Sequence, residues 1–511
     1  MQIDIRPVAR LRGPSPLDLT AALGPVFEAL STTAVDLTRL KVVCDWIQYR
    51  GSFAEPVRCR PVLADRTAGD SQSQPSGDPG AAPGPRIPAP VSGLELAIDL
   101  RRCGQLDLAT AAKQALAEHS DLGYLGAPGR TFLEPWTPAS RSCIWRFNAL
   151  YWQALASWEQ ATGREYEQAL PGGQSDARNA EAARDLIGEL LAVWDSLDAR
   201  HALPDQLYVV ELGVGNGGPA RTWLDTFAEL DRRHGRDYYR RLHYLMGDYS
   251  AHVLDRAWQQ VAHHGDHVSA LVLDASRPQR TLGFLRGKAF CVYISNVYDN
   301  LPTDELASIA GRPYLVEVRA YLRDDDATRI ARRLRIPKAK LSTMIDRLLR
   351  LGPDLLAETA PDQFPDVERA VSLWRDVWAV LYLQERYAPL DGLDTYQVAP
   401  SVTGEVLRPL LEGAGEIRMH VSNGALASFT QTLPLLHPFG RLACHDLFLT
   451  HPAAYHAGFY GPGKYDGSVV NWVNGPLLQL AGNRRGFDVQ IMPFSGRPEA
   501  NVRTLVAQVR D

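Results

Sequence analysis

The spacing of hydrophobic and polar residues changes along the chain near residue 207. Before that point apolar residues recur mainly at helical spacing, which predicts helices at about 17–30, 106–118, 143–162 and 179–197 and a strand-like run at 40–46. From Leu207 onward short β-branched runs alternate with helical stretches, and strands are predicted at 207–211, 243–246, 268–273 and 289–295. This alternation is typical of an α/β fold with a doubly wound, Rossmann-like sheet.

The alternation is interrupted between about 322 and 412, where the helical spacing returns, and strand-like runs resume at 440–445 and 487–492. We therefore predict one α/β domain with a helical insertion. Its predicted parts are a small mixed segment (1–66), a flexible linker rich in Pro, Gly and Ser (67–92), a helical N-terminal part (93–206), the α/β core (207–321), the helical insertion (322–412) and the C-terminal part of the core (413–511).

Composition narrows the class of protein. The 54 basic and 59 acidic residues give a net charge of −5, so the chain as a whole is not expected to bind nucleic acid non-specifically. Apolar runs stay shorter than the roughly 18 residues that a membrane span needs, and the N-terminus does not resemble a secretory signal. The six cysteines are scattered without a Cys-x-x-Cys pair, which argues against a disulfide framework or a structural zinc site. We expect a cytoplasmic protein, and the sequence does not indicate its oligomeric state.

A glycine-rich turn follows the first strand of the predicted core. Glu211 ends the strand, glycines stand at 213, 215, 217 and 218, and a helix is predicted from about residue 219. Glycines let the backbone approach a ligand closely, and a helix N-terminus offers unpaired N–H donors. The arrangement predicts a nucleotide or nucleoside site.

Two ligands compete for this loop. Gly213, Gly215 and Gly218 also fit the dinucleotide fingerprint, but Glu211 would repel a pyrophosphate. Asp248, placed to accept hydrogen bonds from ribose hydroxyls, lies 37 residues past Glu211, beyond the roughly 20 of the dinucleotide motif. Both carboxylates favour S-adenosylmethionine, which is cationic and has no phosphate. A glycine turn without a ligand remains the other alternative.

Three further carboxylates are candidates. Asp274, after the third strand, is predicted to accept from the adenine amino group, although it could equally cap a helix. Asp299, past the fourth strand, is the predicted catalytic residue, because open α/β sheets bind their ligands at that end of the strands. Its alternative role is to form the turn before Pro302. Glu317 is the second catalytic candidate.

With these residues placed, the chain resembles the class I S-adenosylmethionine-dependent methyltransferases, and most closely the MidA-type family. Val210–Gly218 is similar to the family's V-E-L-G-P-G-x-G-x. Further similar segments are Arg146-Phe-Asn-Ala-Leu-Tyr-Trp, Ser175-Asp-Ala-Arg-Asn-Ala-Glu-Ala-Ala, Ile187-Gly-Glu-Leu-Leu-Ala-Val-Trp, Tyr298-Asp-Asn-Leu-Pro and His445-Asp-Leu-Phe.

The resemblance implies a Rossmann-like methyltransferase fold, S-adenosylmethionine as cofactor and, as in the family's mitochondrial members that assist complex I assembly, a protein arginine as acceptor. The chain departs from the family pattern on the substrate side. Asn296, which we count among the cofactor-binding residues, replaces a glutamate, Ser295 replaces an asparagine, and Phe448 replaces the glycine of I-D-Y-G. These departures make a small-molecule O- or N-methyltransferase the alternative.

Three other features support different readings. Residues 328–350 resemble a helix-turn-helix, and the eight basic residues within 329–350 would suit DNA. The row of Trp374, Trp378 and Tyr382 could be the partner surface of a non-catalytic scaffold. The histidine groups 263, 264, 267 and 445, 451, 456 lack a ligand pattern typical of zinc enzymes, so no metal is predicted.

Overall fold

The structure, a computed structural model, describes residues 1–6, 18–33, 35–45, 51–64, 91–102, 106–120, 129–166, 180–456, 461–494 and 501–510. Nearly all of the predicted linker lies outside these residues, as does most of the segment Ser175–Ala183. The described residues form a mixed α/β structure built around two large sheets. The prediction of an α/β protein is thereby confirmed.

The first sheet has seven strands in the order β10-β9-β8-β11-β18-β24-β23. Six of them run in the same direction, and β24 lies antiparallel between β18 and β23. The strands are β8 (Leu207–Leu212), β9 (Leu242–Asp248), β10 (Val268–Val272), β11 (Ala289–Ser295), β18 (Leu436–Asp446), β23 (Phe487–Pro493) and β24 (Arg503–Val509).

Helices cover both faces of the seven-stranded sheet, because successive side chains of a strand point to opposite faces. On β8, Val209 packs in one apolar cluster with Leu224 and Phe227. Val210 packs in another, with Leu426 and Leu477. The helices of the first face are α5 (Ala180–Asp198), α6 (Gly218–Arg233) and α7 (Ala251–Val261), and those of the second are α13 (Asn423–Thr432) and α14 (Gly475–Asn483).

The second sheet has ten strands and joins distant parts of the chain. Its main path is β1-β2-β5-β4-β14-β13-β12-β17, with β6 and β7 paired to β13. The strands are β1 (Gln2–Ile5), β2 (Leu40–Asp45), β4 (Val57–Leu63), β5 (Val91–Asp99), β6 (Arg130–Phe132), β7 (Thr137–Pro138), β12 (Glu305–Ile309), β13 (Arg312–Arg323), β14 (Tyr382–Pro389) and β17 (Ile417–His420). The N-terminal segment and the insertion therefore share a sheet.

Buried charges hold the middle of this sheet together. The carboxylate of Glu385 on β14 pairs with Arg60 of β4 at 2.5 Å and with Arg418 of β17 at 2.8 Å. Arg60 also pairs with Glu95 of β5, and Arg418 with Glu305 of β12. All five side chains are buried and have lost their contact with water. The ion pairs replace that lost solvation, so removal of one partner would leave a buried charge uncompensated.

The predicted helical insertion is helical mainly in its first part. Its longer helices are α9 (Asp324–Arg333), α10 (Leu341–Thr359) and α11 (Val367–Val380), and a four-residue helix, α12 (Arg408–Leu411), lies near its end, but 382–389 is the strand β14 rather than a helix. The strand was missed because Gln384 and Glu385, which are buried in the sheet, resemble surface residues of a helix in the sequence.

The remaining strands pair in three sheets of two or three strands each, and the remaining helices have at most 13 residues. The predicted helix over 143–162 divides in two at Ala154. The helices are α1 (Leu19–Ser31), α2 (Leu108–Ser120), α3 (Cys143–Gln153), α4 (Leu155–Thr162), α8 (Gln279–Leu282) and α12 (Arg408–Leu411), and the strands are β3 (Gly51–Ser52), β15 (Gln397–Ala399), β16 (Val402–Thr403), β19 (Phe448–Leu449), β20 (Gly463–Tyr465), β21 (Ser468–Val470) and β22 (Val473–Asn474). Of the helices described, none combines the length and the apolar character needed to cross a bilayer.

Candidate functional site

The glycine loop lies between the carboxyl end of β8 and the first turn of α6. Gly213, Gly215 and Gly217 all adopt positive φ, at 78°, 57° and 79°. Non-glycine residues pay a steric penalty in this region, so the loop's course depends on these three positions. The first N–H of α6, that of Gly218, is bound by the side chain of Asn216 at 2.9 Å.

Two of the glycines are also required by close packing. A Cβ at Gly217 would stand 2.6 Å from Cα of Ala257 on α7, and one at Gly213 would overlap the side chain of Val297. The backbone of the loop therefore lies directly against α7 on one side and against the segment after β11 on the other. This places the loop in a crevice at the carboxyl edge of the sheet, where open α/β sheets bind ligands.

Asp248 ends the neighbouring strand β9 and contacts the loop. Its Oδ2 accepts from the main-chain N–H of Gly215 at 3.4 Å, and its Oδ1 accepts from that of Ser250 at 3.0 Å. Burial raises the pKa of this carboxyl to about 6, against the lowering effect of the N–H donors. Asp248 is only half-buried, so part of its surface is open to a ligand.

Glu211 lies beneath the loop and is buried. The hydroxyl of Tyr244 on β9 donates to its Oε2 at 2.6 Å. Burial raises the pKa of Glu211 to about 8, and the nearby Asp248 adds to the effect. A cation bound near the loop would favour the ionised forms of both carboxyls, whereas an anion would disfavour them.

The segment after β11 forms the other wall of the crevice. Asn296 adopts a positive φ of 51°, and its main-chain N–H donates to the carbonyl of His445 at 2.9 Å. Its side chain is exposed. Because the next residue, Val297, contacts Gly213, Asn296 is held beside the glycine loop, where it was predicted to bind the cofactor.

Asp299, the predicted catalytic residue, is buried beside a second carboxyl, that of Asp446 at the end of β18. Asp446 accepts the main-chain N–H groups of Val297 at 3.1 Å and Tyr298 at 2.8 Å, which stabilise its ionised form. Burial and the charge of Asp446 raise the pKa of Asp299 well above its usual range. Asp299 is therefore buried within the wall of the crevice, rather than an open carboxylate.

The two remaining candidate carboxylates already bind other groups. Asp274 is exposed, and its Oδ1 accepts from the N–H of Ser276 at 2.8 Å and from its hydroxyl at 2.6 Å. It does not cap a helix, as its alternative role would require, because the next helix, α8, has Pro278 at the cap. Glu317 belongs to β13 of the ten-stranded sheet, where its Oε2 pairs with Arg386 at 2.5 Å. The structure does not bring Glu317 to the glycine loop.

Helices α3 and α4 bring residues to the crevice that the sequence did not single out. The hydroxyl of Tyr166, which follows α4, lies 3.1 Å from the position of a Cβ on Gly215. Asn148 of α3 donates to the carbonyl of Asn300 at 2.9 Å and accepts from the N–H of Val469 at the same distance. Asn148 and Asp446 both lie in segments similar to the MidA-type family. That resemblance is the feature of the sequence from which their place at the crevice could have been predicted.

The contacts of two segments bear on the alternative interpretations, a partner surface and a DNA-binding motif. Trp374 and Trp378 are buried in an apolar cluster with Trp158, so they pack inside the protein and do not form the partner surface, which was the less favoured interpretation. In the helix-turn-helix-like segment, Arg329, Arg333 and Lys338 form ion pairs with acidic residues at 2.9, 2.6 and 2.8 Å. These pairs reduce the positive charge available to a phosphate backbone.

Comparisons with known proteins find similar solved structures but no matching family model or curated protein. No protein-family model matches the chain, and no curated protein is similar to it. Among solved structures, a COG1565 superfamily member from Burkholderia thailandensis bound to S-adenosyl-homocysteine is 14% identical, with 73% of this chain and 88% of that chain covered and a TM-score of 0.43. An O-methyltransferase family protein from the same organism is 9% identical over 71% and 64%, with a TM-score of 0.28. A SAM dependent methyltransferase from Aquifex aeolicus is 9% identical over 64% and 97%, with a TM-score of 0.24.

Such low TM-scores do not establish a shared fold. The matched proteins are methyltransferases or relatives of them, and one holds the demethylated cofactor, but these properties belong to those proteins.

Proposed function

We propose that this chain is an S-adenosylmethionine-dependent methyltransferase whose cofactor lies on the glycine loop. The observation that carries the proposal is the position of two carboxyls at that loop, Glu211 beneath it and Asp248 hydrogen-bonded to Gly215. A nucleoside that carries positive charge and no phosphate suits this acidic surrounding.

The residues present fit such a ligand better than a dinucleotide. The close approach of the backbone at Gly213 and Gly217 forms a cradle that side chains would fill. The strand order also differs from the dinucleotide order 3-2-1-4-5-6, because the antiparallel strand β24 is inserted between β18 and β23. This arrangement supports the finer prediction of a Rossmann-like methyltransferase sheet.

Each predicted cofactor residue has a proposed role. Asp248 accepts from the ribose hydroxyls and Asp274 from the adenine amino group. Glu211, whose pKa of about 8 leaves it largely protonated at neutral pH in the free chain, ionises when the cationic amino-acid part binds nearby. Asn296 and the three glycines shape the cradle. The half-buried Asp248 and the exposed Asp274 have surface available for such contacts.

The chemistry required of the protein is mainly alignment. S-adenosylmethionine supplies a methyl group on a sulfonium, which leaves as a neutral thioether without needing a proton. The wall formed by Asn296, Val297 and Tyr166 would hold the acceptor in line and exclude water, and such positioning can lower a barrier by several kcal/mol. Asp446 fixes that wall by binding the N–H groups of Val297 and Tyr298, so it is a positioning residue.

For the acceptor we favour a small molecule over a protein arginine. A guanidinium would require an open carboxylate in a bidentate pose. Asp299 is buried and accepts from the side-chain amide of Asn300, and Glu317 is already paired with Arg386. Neither predicted catalytic carboxylate is thus free to hold a guanidinium.

Incubation with labelled S-adenosylmethionine and extract of the native cells tests this proposal. Label in small molecules supports the favoured acceptor class, and label in protein supports the arginine alternative. Binding of the cofactor without transfer to either would favour a non-catalytic scaffold. Asp248→Asn should abolish most of the transfer in the same assay, whereas Asp205→Asn, an exposed residue before β8, should not change it.

A further inference from the structure

A cluster of potential metal ligands lies at the edge of the seven-stranded sheet opposite the glycine loop. It combines Asp225 of α6 with His263 and His264, which follow α7 and precede β10. The glycine loop leaves the carboxyl end of β8, whereas these histidines precede the amino end of the parallel strand β10. The cluster is therefore separate from the proposed cofactor crevice.

The three side chains already converge on one point. Nε2 of His263 lies 3.0 Å from Oδ1 of Asp225, and Nε2 of His264 lies 3.1 Å from the same oxygen. Two ligands that each stand about 2.0–2.2 Å from a zinc ion in a tetrahedral arrangement are about 3.3 Å apart. The three ligand atoms lie within 4.8 Å of one another, so small rotations of exposed side chains would complete the site.

A neighbouring residue orients the buried histidine. Nδ1 of His264 lies 2.5 Å from the hydroxyl of Tyr239, while His264 itself is only 6% exposed. When Nδ1 carries the hydrogen and donates it to Tyr239, the lone pair of Nε2 points toward Asp225. Metal-binding histidines characteristically have such a partner on the second ring nitrogen.

The donor set of the cluster suits a cation. Asp225 brings a carboxylate, and each histidine brings a ring nitrogen that coordinates a metal in its neutral form. Arg221, one turn earlier on α6, donates to Gln260 at 3.1 Å and so points its charge at another partner.

We propose that Asp225, His263 and His264 bind a divalent transition metal such as Zn²⁺, which fastens α6 to the segment before β10. Two imidazoles and one carboxylate suit zinc and its first-row neighbours, and water would fill the remaining positions. The metal would act on stability, since it binds the folded chain and joins two elements that are distant in sequence. This inference does not depend on the proposed methyltransferase activity.

The test is metal binding by the full chain after treatment with a chelator. Titration with Co²⁺ should give visible d–d absorption that saturates at one equivalent and is lost when Zn²⁺ is added, and Zn²⁺ should raise the melting temperature. His263→Ala and Asp225→Asn both change exposed positions. Loss of an outer-shell partner typically weakens metal binding about 10–100-fold, and each of these variants, which loses a direct ligand, should weaken it at least as much.

The matched control is His451→Ala, which removes an exposed histidine elsewhere and should bind the metals as the unchanged chain does. Affinity for S-adenosyl-homocysteine should stay the same in all three variants, so this test succeeds or fails independently of the cofactor proposal. The inference is overturned if the unchanged chain takes up neither metal at micromolar concentration. It is equally overturned if His263→Ala and Asp225→Asn bind with undiminished affinity.

Discussion

The main-chain N–H of Gly215 donates to Oδ2 of Asp248 across 3.4 Å. This contact joins the glycine loop after β8 to the end of the adjacent strand β9. It places a carboxylate against the backbone of a loop in which Gly213, Gly215 and Gly217 all adopt positive φ. The same carboxylate is half-buried, so it holds the loop while part of its surface stays open.

Replacing Asp248 should weaken cofactor binding more than it weakens the fold. A hydrogen bond to a charged group contributes about 1.5–3 kcal/mol, so Asp248→Asn should lower the affinity for S-adenosyl-homocysteine about 10–100-fold. Isothermal titration calorimetry measures the change. Asp205→Asn is the control, and equal affinities in the Asp248→Asn variant and the unchanged chain would exclude Asp248 from the site.

The glycine loop should not tolerate a side chain at residue 217. Gly217→Ala combines a left-handed backbone conformation with a Cβ 2.6 Å from Cα of Ala257, and we expect a loss of about 2–5 kcal/mol in the free energy of unfolding. Gly235→Ala is a matched control, because Gly235 has φ of 67° but open space around the Cβ position. That variant should lose only about 1 kcal/mol.

Urea unfolding measures both variants. Similar losses at the two positions would mean that backbone conformation alone explains the glycines. The close approach of the loop to α7 would then contribute nothing, and the cradle argued for the cofactor would lose its support.

Stability should depend on pH through Glu211. The pKa of Glu211 is about 8 in the folded chain. In the unfolded chain we expect the ordinary glutamate pKa of about 4.3. Between these values the folded state binds more protons than the unfolded state, so the free energy of unfolding falls as pH rises from about 4.5 towards about 8. Asp248, with a pKa of about 6, contributes in the same direction over a narrower range.

Glu211→Gln removes this contribution while the amide oxygen can still accept from Tyr244. Urea unfolding from about pH 5 to about pH 8.5 should therefore show a shallower decline for the variant than for the unchanged chain. Parallel declines would show that Glu211 is ionised in the folded state at neutral pH.

The ten-stranded sheet should depend strongly on Glu385. Glu385→Ala leaves Arg60 and Arg418 buried with one acidic partner fewer, and breaking a buried pair costs about 3–5 kcal/mol. Glu317→Ala on the adjacent strand breaks a partly exposed pair with Arg386 and should cost about 1 kcal/mol or less. Chemical denaturation compares the two, and an equal cost would contradict a buried network.

The same Glu317→Ala variant also tests the sequence prediction that Glu317 is catalytic. Since Glu317 lies in the ten-stranded sheet, we expect methyl transfer to continue at its normal rate. A rate reduced by several orders of magnitude, in a variant that remains folded, would restore Glu317 to the site.

Local patterns were sufficient to predict the glycine loop and its two carboxyls. Glu211 and the glycines are adjacent in sequence, and Asp248 follows the next strand, so strand–loop–helix spacing alone predicted their meeting. The pairing of Asp299 with Asp446 could not be read in this way, because 147 residues separate them in the chain and only the order of β11 and β18 in the sheet joins them.

Most of the other differences between the sequence predictions and the structure involve buried polar residues. The strand β14 was taken for helix because Gln384, Glu385 and Arg386 look like a solvated surface, whereas their partners come from remote strands. In the same way His263 and His264 showed no metal-ligand pattern, since the carboxylate that meets them, Asp225, lies on another helix. Spacing within one segment cannot reveal such partners.

The proposed function is tested most directly by measuring the binding of S-adenosyl-homocysteine and NAD⁺ to the same preparation by calorimetry. We predict one site per chain for S-adenosyl-homocysteine, strongly weakened by Asp248→Asn, and no measurable binding of NAD⁺. Binding of NAD⁺ in preference to S-adenosyl-homocysteine, or of neither at millimolar concentration, would contradict the assignment of the glycine loop to a methyl donor.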